Sequence, residues 1–168
     1  MGRDKALLPF GGYQTLMEYQ FRRLEPLFSQ VAISLKEDKL PFQAPIVYDR
    51  AAISAPLVAL VAILEAAGCD RVFVIAVDTP FFSADAIAQL LSVEAPVVMA
   101  RTPSGTHPLA AIYHRSVLPV FKEALTSGEL ALHRALKGTS VVYVDFEERL
   151  LMNLNHPHEY EAAQCVSA

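Results

Sequence analysis

The sequence has few of the features that mark disulfide-rich, membrane or nucleic-acid-binding proteins. It contains only two cysteines, Cys69 and Cys165, which favour a reducing cytoplasm over a disulfide framework. Its most apolar run, residues 56–64, is shorter than the roughly 20 residues that span a bilayer, and the first residues lack a secretory signal pattern. The formal net charge of −4 gives no electrostatic case for nucleic acid or an anionic membrane. We therefore expect a cytoplasmic protein that binds neither.

Several compact catalytic motifs are also missing. The sequence has no Walker A motif for phosphates and no Gly-x-Ser-x-Gly nucleophile elbow. His156 and His158 lack Cys or His partners at the spacing of zinc ligands. Candidate functional residues must therefore be sought among dispersed polar side chains.

The residues that are present predict one α/β domain over residues 1–168. A hydrophobic content of 53% with 19% charged residues predicts a folded core. Strand-like and helix-like apolar patterns alternate, which predicts a mostly parallel sheet. The run at 71–77 is continuously apolar, as in a parallel strand covered on both faces, and Ser83 is typical of a helix N-cap. The predicted strands are 31–35, 45–48, 71–77, 96–100, 109–113 and 141–144, and the predicted helices are 17–28, 56–67, 83–91, 117–125, 130–136 and a last one after residue 157.

Two aspartates lie at predicted strand ends, where the ligand crevice of such sheets is found. Asp78 follows the apolar run at 71–77, and a carboxylate there suits Mg²⁺, which takes one or two carboxylates together with substrate phosphates. A turn-forming or capping role for Asp78 is an equal alternative on position alone. Asp49 follows a weaker strand, and the residues alone favour a solvated loop position beside Arg50.

Other polar residues lie near the two ends of the chain. Lys5 and Arg3 are suited to neutralising phosphates, although a flexible basic terminus is the alternative; Lys5 is better placed because apolar residues follow it directly. Asn153 and Asn155 are two apart in an extended segment, so their side chains share one face. They suit either a polar ligand or turn and cap formation.

Together these residues resemble the molybdenum cofactor guanylyltransferases, and the resemblance covers essentially the whole chain. The Asp-Thr-Pro-Phe and Asn-x-Asn-x-Pro elements in this order are fairly specific together, whereas the earlier features are shared by a wider class of nucleotidyltransferases. The segments that carry the resemblance are MGRDKALL at 1–8, Asp49, DTPF at 78–81, HPL at 107–109, VDF at 144–146 and NLNHP at 153–157.

The resemblance implies a Rossmann-like three-layer fold that binds GTP and Mg²⁺ and transfers GMP to molybdopterin with release of pyrophosphate. It implies that Lys5, Ser34 and Asp49 contact the nucleotide and that Asp78 binds both nucleotide and metal, with Asp78 and Lys5 as the catalytic pair. Asn153 and Asn155 would lie on the pterin side. Transient contacts with molybdenum cofactor biosynthesis proteins and apo-molybdoenzymes are also implied.

The sequence departs from the family pattern in two places. The family's first strand and its Leu-Ala-Gly-Gly loop, which precede the Met-Gly, are absent here, and we expect an upstream segment to supply them, because their loss would leave a cleft beside unpaired backbone. The family's Gly-Pro-Leu-x-Gly segment has alanine at both glycine positions, Ala55 and Ala59. Two other functions stay open: a related nucleotidyltransferase that uses CTP or a sugar-phosphate acceptor, and a degenerate, non-catalytic binding domain.

Overall fold

The computed structural model describes residues 5–37, 40–49 and 55–154, and the strands in these ranges form two sheets. The small sheet pairs β1 (Ile33–Leu35) in parallel with β2 (Ile46–Tyr48). The large sheet has the order β3-β5-β4-β6. No ladder between described strands joins the two sheets. The strands of the large sheet are β3 (Arg71–Ile75), β4 (Val97–Thr102), β5 (Gly105–His114) and β6 (Val141–Asp145).

Strand direction in the large sheet is mixed. β4 pairs in parallel with β6, whereas β5 is antiparallel to both of its neighbours, β3 and β4. The α/β class and the common direction of β3, β4 and β6 agree with the prediction. The expectation of parallel neighbours for the strand at 71–77 was wrong, because β5 lies beside it. A two-residue turn between Thr102 and Gly105 returns the chain after β4, and such a turn can join only antiparallel strands.

In the described ranges, five α-helices pack around the large sheet, and most begin where the sequence predicts. Ser83 accepts a hydrogen bond from the Ala86 amide at 3.2 Å, which confirms it as the N-cap of the third helix. Thr15 caps the first helix in the same way through the Glu18 amide, at 3.0 Å. Pro56 occupies the first turn of the second helix, where its missing N–H is not needed. The helices are α1 (Leu16–Leu24), α2 (Pro56–Ala66), α3 (Ala84–Leu91), α4 (Leu118–Thr126) and α5 (Leu132–Ala135).

Alternate residues of the large sheet build two cores on its opposite faces, as the two-residue period of a strand requires. Val97 and Met99 of β4 face α2, α4 and α5, where Leu60 is fully buried. Val98 and Ala100 face α3 and the end of α1. The sheet is thus the middle of three layers.

A third cluster joins distant parts of the chain beside the end of β3. Phe10, Leu16 and Leu154 are buried in it, and Val77 and Phe81 pack against it. It brings together the N-terminal segment, the turn that follows β3 and the end of the described chain. No helix in the described ranges is long and apolar enough to cross a membrane. Arg3, Arg50, Asn155 and the predicted last helix lie outside the described residues.

Candidate active site

Asp78 lies in the turn that follows β3 and is half-buried. In the described part of the chain, its carboxylate has no hydrogen-bond or ion-pair partner. Within the turn, a side-chain hydrogen bond is made by Thr79, whose hydroxyl donates to the Ala76 carbonyl at 2.8 Å. The N-cap of the helix that follows is Ser83. Neither a capping nor a turn-forming bond therefore occupies the Asp78 carboxylate, which leaves it available to a cation.

The backbone of this turn is fixed from two sides. The Ala76 amide donates to the Leu109 carbonyl of β5 at 2.8 Å, so the turn begins as an extension of the sheet. The amide of Leu154, itself only 2% exposed, donates to the Asp78 carbonyl at 2.9 Å. This bond brings the exposed Asn153 next to the Asp78 turn.

Lys5 begins a 3₁₀ turn, Lys5–Leu7, and is half-buried. The Leu8 amide closes this turn on the Lys5 carbonyl at 3.1 Å, and the Leu16 amide ties Leu8 to the start of α1 at 2.7 Å. Phe10, in the same segment, packs in the cluster that includes Val77. The segment that carries Lys5 is therefore anchored, as the apolar residues after Lys5 predict. The structure also places this segment beside the turn that carries Asp78.

Ser34 and Asp49 line a second part of the site, a cavity of about 340 Å³ at the carboxyl ends of β1 and β2. Asp49 is only 7% exposed, and its amide donates to the Leu35 carbonyl at 2.9 Å. Its interpretation as a solvated loop residue was wrong, because the paired strands and the start of α2 enclose it. Lys36 also lines this cavity and was missed by sequence reasoning, although its position directly after the strand of Ser34 was the available signal.

The two alanines that replace family glycines face the same cavity. Ala55 and Ala59 are among its lining residues, together with Pro56. Ala55 has an extended backbone, with φ −144° and ψ 145°, which any residue adopts without strain. The substitutions therefore leave the backbone unstrained and place two methyl groups in the cavity wall.

Comparison with known proteins identifies the family. A family model described as the MobA-like NTP transferase domain matches residues 1–142. The chain belongs to this family. It is therefore a nucleotidyltransferase, and the resemblance seen in the sequence is confirmed.

Named relatives of this nucleotidyltransferase cover nearly its whole length. The molybdenum cofactor guanylyltransferase of Helicobacter pylori strain P12 is 32% identical over 163 residues, which are 95% of this chain and 81% of the relative. The enzyme of the same name from Campylobacter jejuni strain RM1221 is 30% identical over 167 residues, which are 96% of this chain and 87% of the relative.

Solved structures share the fold at lower identity. Molybdopterin-guanine dinucleotide biosynthesis protein A from Archaeoglobus fulgidus has a TM-score of 0.80 at 19% identity, over 98% of this chain and 91% of that one. The 2-C-methyl-D-erythritol 4-phosphate cytidylyltransferase from Thermus thermophilus has a TM-score of 0.76 at 17% identity, over 97% and 93%. These two likenesses support the nucleotidyltransferase fold.

A metal ion at Asp78 would have few protein ligands in the part of the chain that the structure describes. Within residues 5–37, 40–49 and 55–154, no three His, Cys, Asp or Glu side chains cluster as a metal site. A divalent cation held by Asp78 would take one carboxylate from the protein and its other oxygens from substrate phosphates and water, which is the usual pattern for Mg²⁺. The Asp78 carboxylate offers hard oxygen ligands and makes no other bond among the described residues, so it fits such a cation.

Proposed function

We propose that this nucleotidyltransferase transfers GMP from GTP to molybdopterin and releases pyrophosphate. The observation that carries the proposal is the division of the site. Lys5 and Asp78 lie on segments that meet in one cluster, whereas Ser34 and Asp49 line a separate cavity at the neighbouring strand ends. This arrangement suits a nucleotide whose phosphates lie beside Lys5 and Asp78 and whose nucleoside lies beside Ser34 and Asp49. The names of the relatives support guanine as the base and molybdenum cofactor as the product class.

The reaction needs charge neutralisation more than proton transfer. A phosphate oxygen of molybdopterin attacks the α-phosphorus of GTP, a new P–O bond forms, and the bond to the β-phosphate oxygen breaks with departure of pyrophosphate. The attacking oxygen is already ionised at neutral pH, so no Ser-His pair is needed to activate it. The Lys5 ammonium offsets phosphate charge. Asp78 would hold Mg²⁺, which, when bound, polarises phosphoryl oxygens as a Lewis acid.

The second substrate would approach from the side of Asn153. Asn153 is exposed and adjoins Leu154, whose amide bonds to the Asp78 carbonyl. Its side-chain amide offers both donors and an acceptor to a polar pterin, and Asn155 belongs to the same proposal. Transient contact with other molybdenum cofactor biosynthesis proteins or apo-molybdoenzymes would deliver or remove the cofactor.

The deciding experiment measures pyrophosphate release and product mass with purified protein. GTP, CTP and ATP are each supplied with molybdopterin, and GTP is also supplied with a hexose 1-phosphate. We expect the guanine dinucleotide of molybdopterin with GTP and no other product. A cytosine dinucleotide or a nucleotide sugar would assign the chain to one of the related activities. Tight GTP binding without any product would make it a binding domain.

A further inference from the structure

Two polar side chains of α1 reach the turn that carries Asp78. Gln20 is 5% exposed, and its Nε2 donates to the carbonyl oxygens of Ala76 and Val77, each at 3.1 Å. These carbonyls directly precede Asp78. The Gln20 side chain therefore fixes the backbone of the two residues that precede Asp78.

Arg23 extends this contact to the far end of the turn. Its Nη1 donates to the Phe82 carbonyl at 2.6 Å, and its Nε donates to the side-chain oxygen of Gln20. Because the Gln20 oxygen accepts from Arg23, the Gln20 amino group points toward the turn. Arg23 thus both orients Gln20 and binds the turn directly, so that residues 76–82 are held at both ends.

A contribution to folding stability does not by itself explain why an arginine occupies position 23. Its Nη2 is buried and has no acceptor among the described residues, and burial lowers the pKa of its guanidinium. A partly buried cation with an unsatisfied N–H₂ group disfavours folding relative to an apolar side chain of similar size. What Arg23 contributes is a planar guanidinium group that hydrogen-bonds to Gln20 and to Phe82 at the same time.

We propose that Gln20 and Arg23 are positioning residues, which fix the backbone of residues 76–82 and thereby aim the Asp78 carboxylate at the cation. The inference rests on the proposed function for the metal-binding role of Asp78. When a metal ion has only one protein carboxylate as ligand, no second protein ligand helps to fix the position of the ion. The orientation of that carboxylate then depends on the backbone that carries it. Changes to groups that orient a metal ligand typically weaken metal affinity 10- to 100-fold.

The test uses Gln20→Met, which keeps the size of the side chain and removes its hydrogen bonds. Arg23→Lys is the milder second variant, because it keeps the charge and removes the fork. Arg22→Met is the matched control: Arg22 lies on the same helix and pairs at the surface with Glu25, at 2.9 Å. Each protein is examined for amide hydrogen exchange of residues 76–82, Mn²⁺ affinity in the presence of GTP, GTP affinity in EDTA, and thermal unfolding.

We expect faster exchange of residues 76–82 and about tenfold weaker Mn²⁺ affinity in Gln20→Met and Arg23→Lys. GTP affinity in EDTA should stay within twofold, and the unfolding temperature within about 5 °C of the wild type. Arg22→Met should match the wild type throughout. A purely structural role would lower the unfolding temperature without changing the metal affinity of the folded protein.

Two results would overturn the proposal: unchanged exchange of residues 76–82 in both variants, or faster exchange with unaltered Mn²⁺ affinity. Failure of the proposed function is recognised separately in the wild type. A wild-type protein that binds Mn²⁺ and GTP but does not guanylylate molybdopterin would refute the reaction and leave the positioning role intact. A wild type that binds no Mn²⁺ would refute both.

Discussion

The central strand β4 of the large sheet is buried far more deeply than either strand of the small sheet. β4 is buried at every position except Arg101 and has strands on both sides. β1 and β2 contain no fully buried residue, and Tyr48 is 38% exposed. The large sheet supports the Asp78 turn, whereas the small sheet supports the cavity of Ser34 and Asp49. The Asp78 turn follows β3, which has no fully buried residue, but its backbone is held by hydrogen bonds from Leu154 and Gln20. The comparison shows that the turn of the proposed metal ligand is fixed by hydrogen bonds, whereas the proposed nucleoside side rests on two strands of three residues each.

Substitution of Asp78 should produce the largest effect, because Asp78 is the proposed ligand of the catalytic metal ion. In Asp78→Ala we expect at least a 10³-fold loss of GMP transfer, since charge stabilisation is often the largest single catalytic contribution, and an unchanged circular dichroism spectrum. Pyrophosphate release measures the rate. Asp85→Ala is the control and should retain activity, because Asp85 carries an exposed carboxylate in the first turn of α3. Near-normal turnover in Asp78→Ala would remove the metal assignment.

The difference in burial itself is tested by two leucines. Leu60, fully buried under the large sheet, should lose about 3 kcal/mol of unfolding free energy on replacement by alanine. Leu35 in β1 is half-exposed, so Leu35→Ala should lose no more than about 1 kcal/mol. Urea unfolding of both variants gives the comparison. Equal losses would mean that the small sheet is as closely packed as the large one.

Substitutions on the proposed nucleoside side should weaken nucleotide binding and leave turnover unchanged. Asp49→Asn is expected to weaken GTP and GMP binding alike by about tenfold, because a charged hydrogen-bond acceptor is lost, while kcat at saturation stays within twofold. Calorimetry and steady-state kinetics separate the two quantities. Asp70→Asn is the matched control, since Asp70 is exposed and precedes β3 at its amino end. A selective fall in kcat would place Asp49 among the reacting groups.

The smallest effect is expected for Lys5, a single cation that shares the phosphates with metal and water. Lys5→Ala should weaken GTP binding about fivefold, equivalent to ~1 kcal/mol, and leave GMP binding unchanged because GMP lacks the outer phosphates. Lys137→Ala, an exposed lysine after α5, serves as the control. Equal weakening of GTP and GMP would argue against a phosphate contact.

The sequence predicted those features well that depend on neighbouring residues, such as helix caps and the buried face of a helix. Ser83 caps its helix as predicted, and Met17 and Phe21 share the buried face that their spacing implied. The position of β5 was not predictable in this way, because a continuously apolar strand has the same pattern beside a parallel or an antiparallel neighbour. The contacts of Gln20 and Arg23 with residues 76–82 were not predictable either, since apolar periodicity gives no information about polar side chains that bond to distant parts of the chain. For Asp49, the strand end was visible but its burial was not.

One consequence of the Asp78 turn concerns the order in which the protein is made. Gln20 bonds to a residue 56 positions later, and the Asp78 carbonyl is held by Leu154, close to the end of the described chain. Contacts of such long sequence separation form late, because the chain must close large loops before it gains them. The turn is therefore completed only after residue 154 has left the ribosome. A nascent chain that stops short of Leu154 carries Asp78 without the bond that holds its carbonyl.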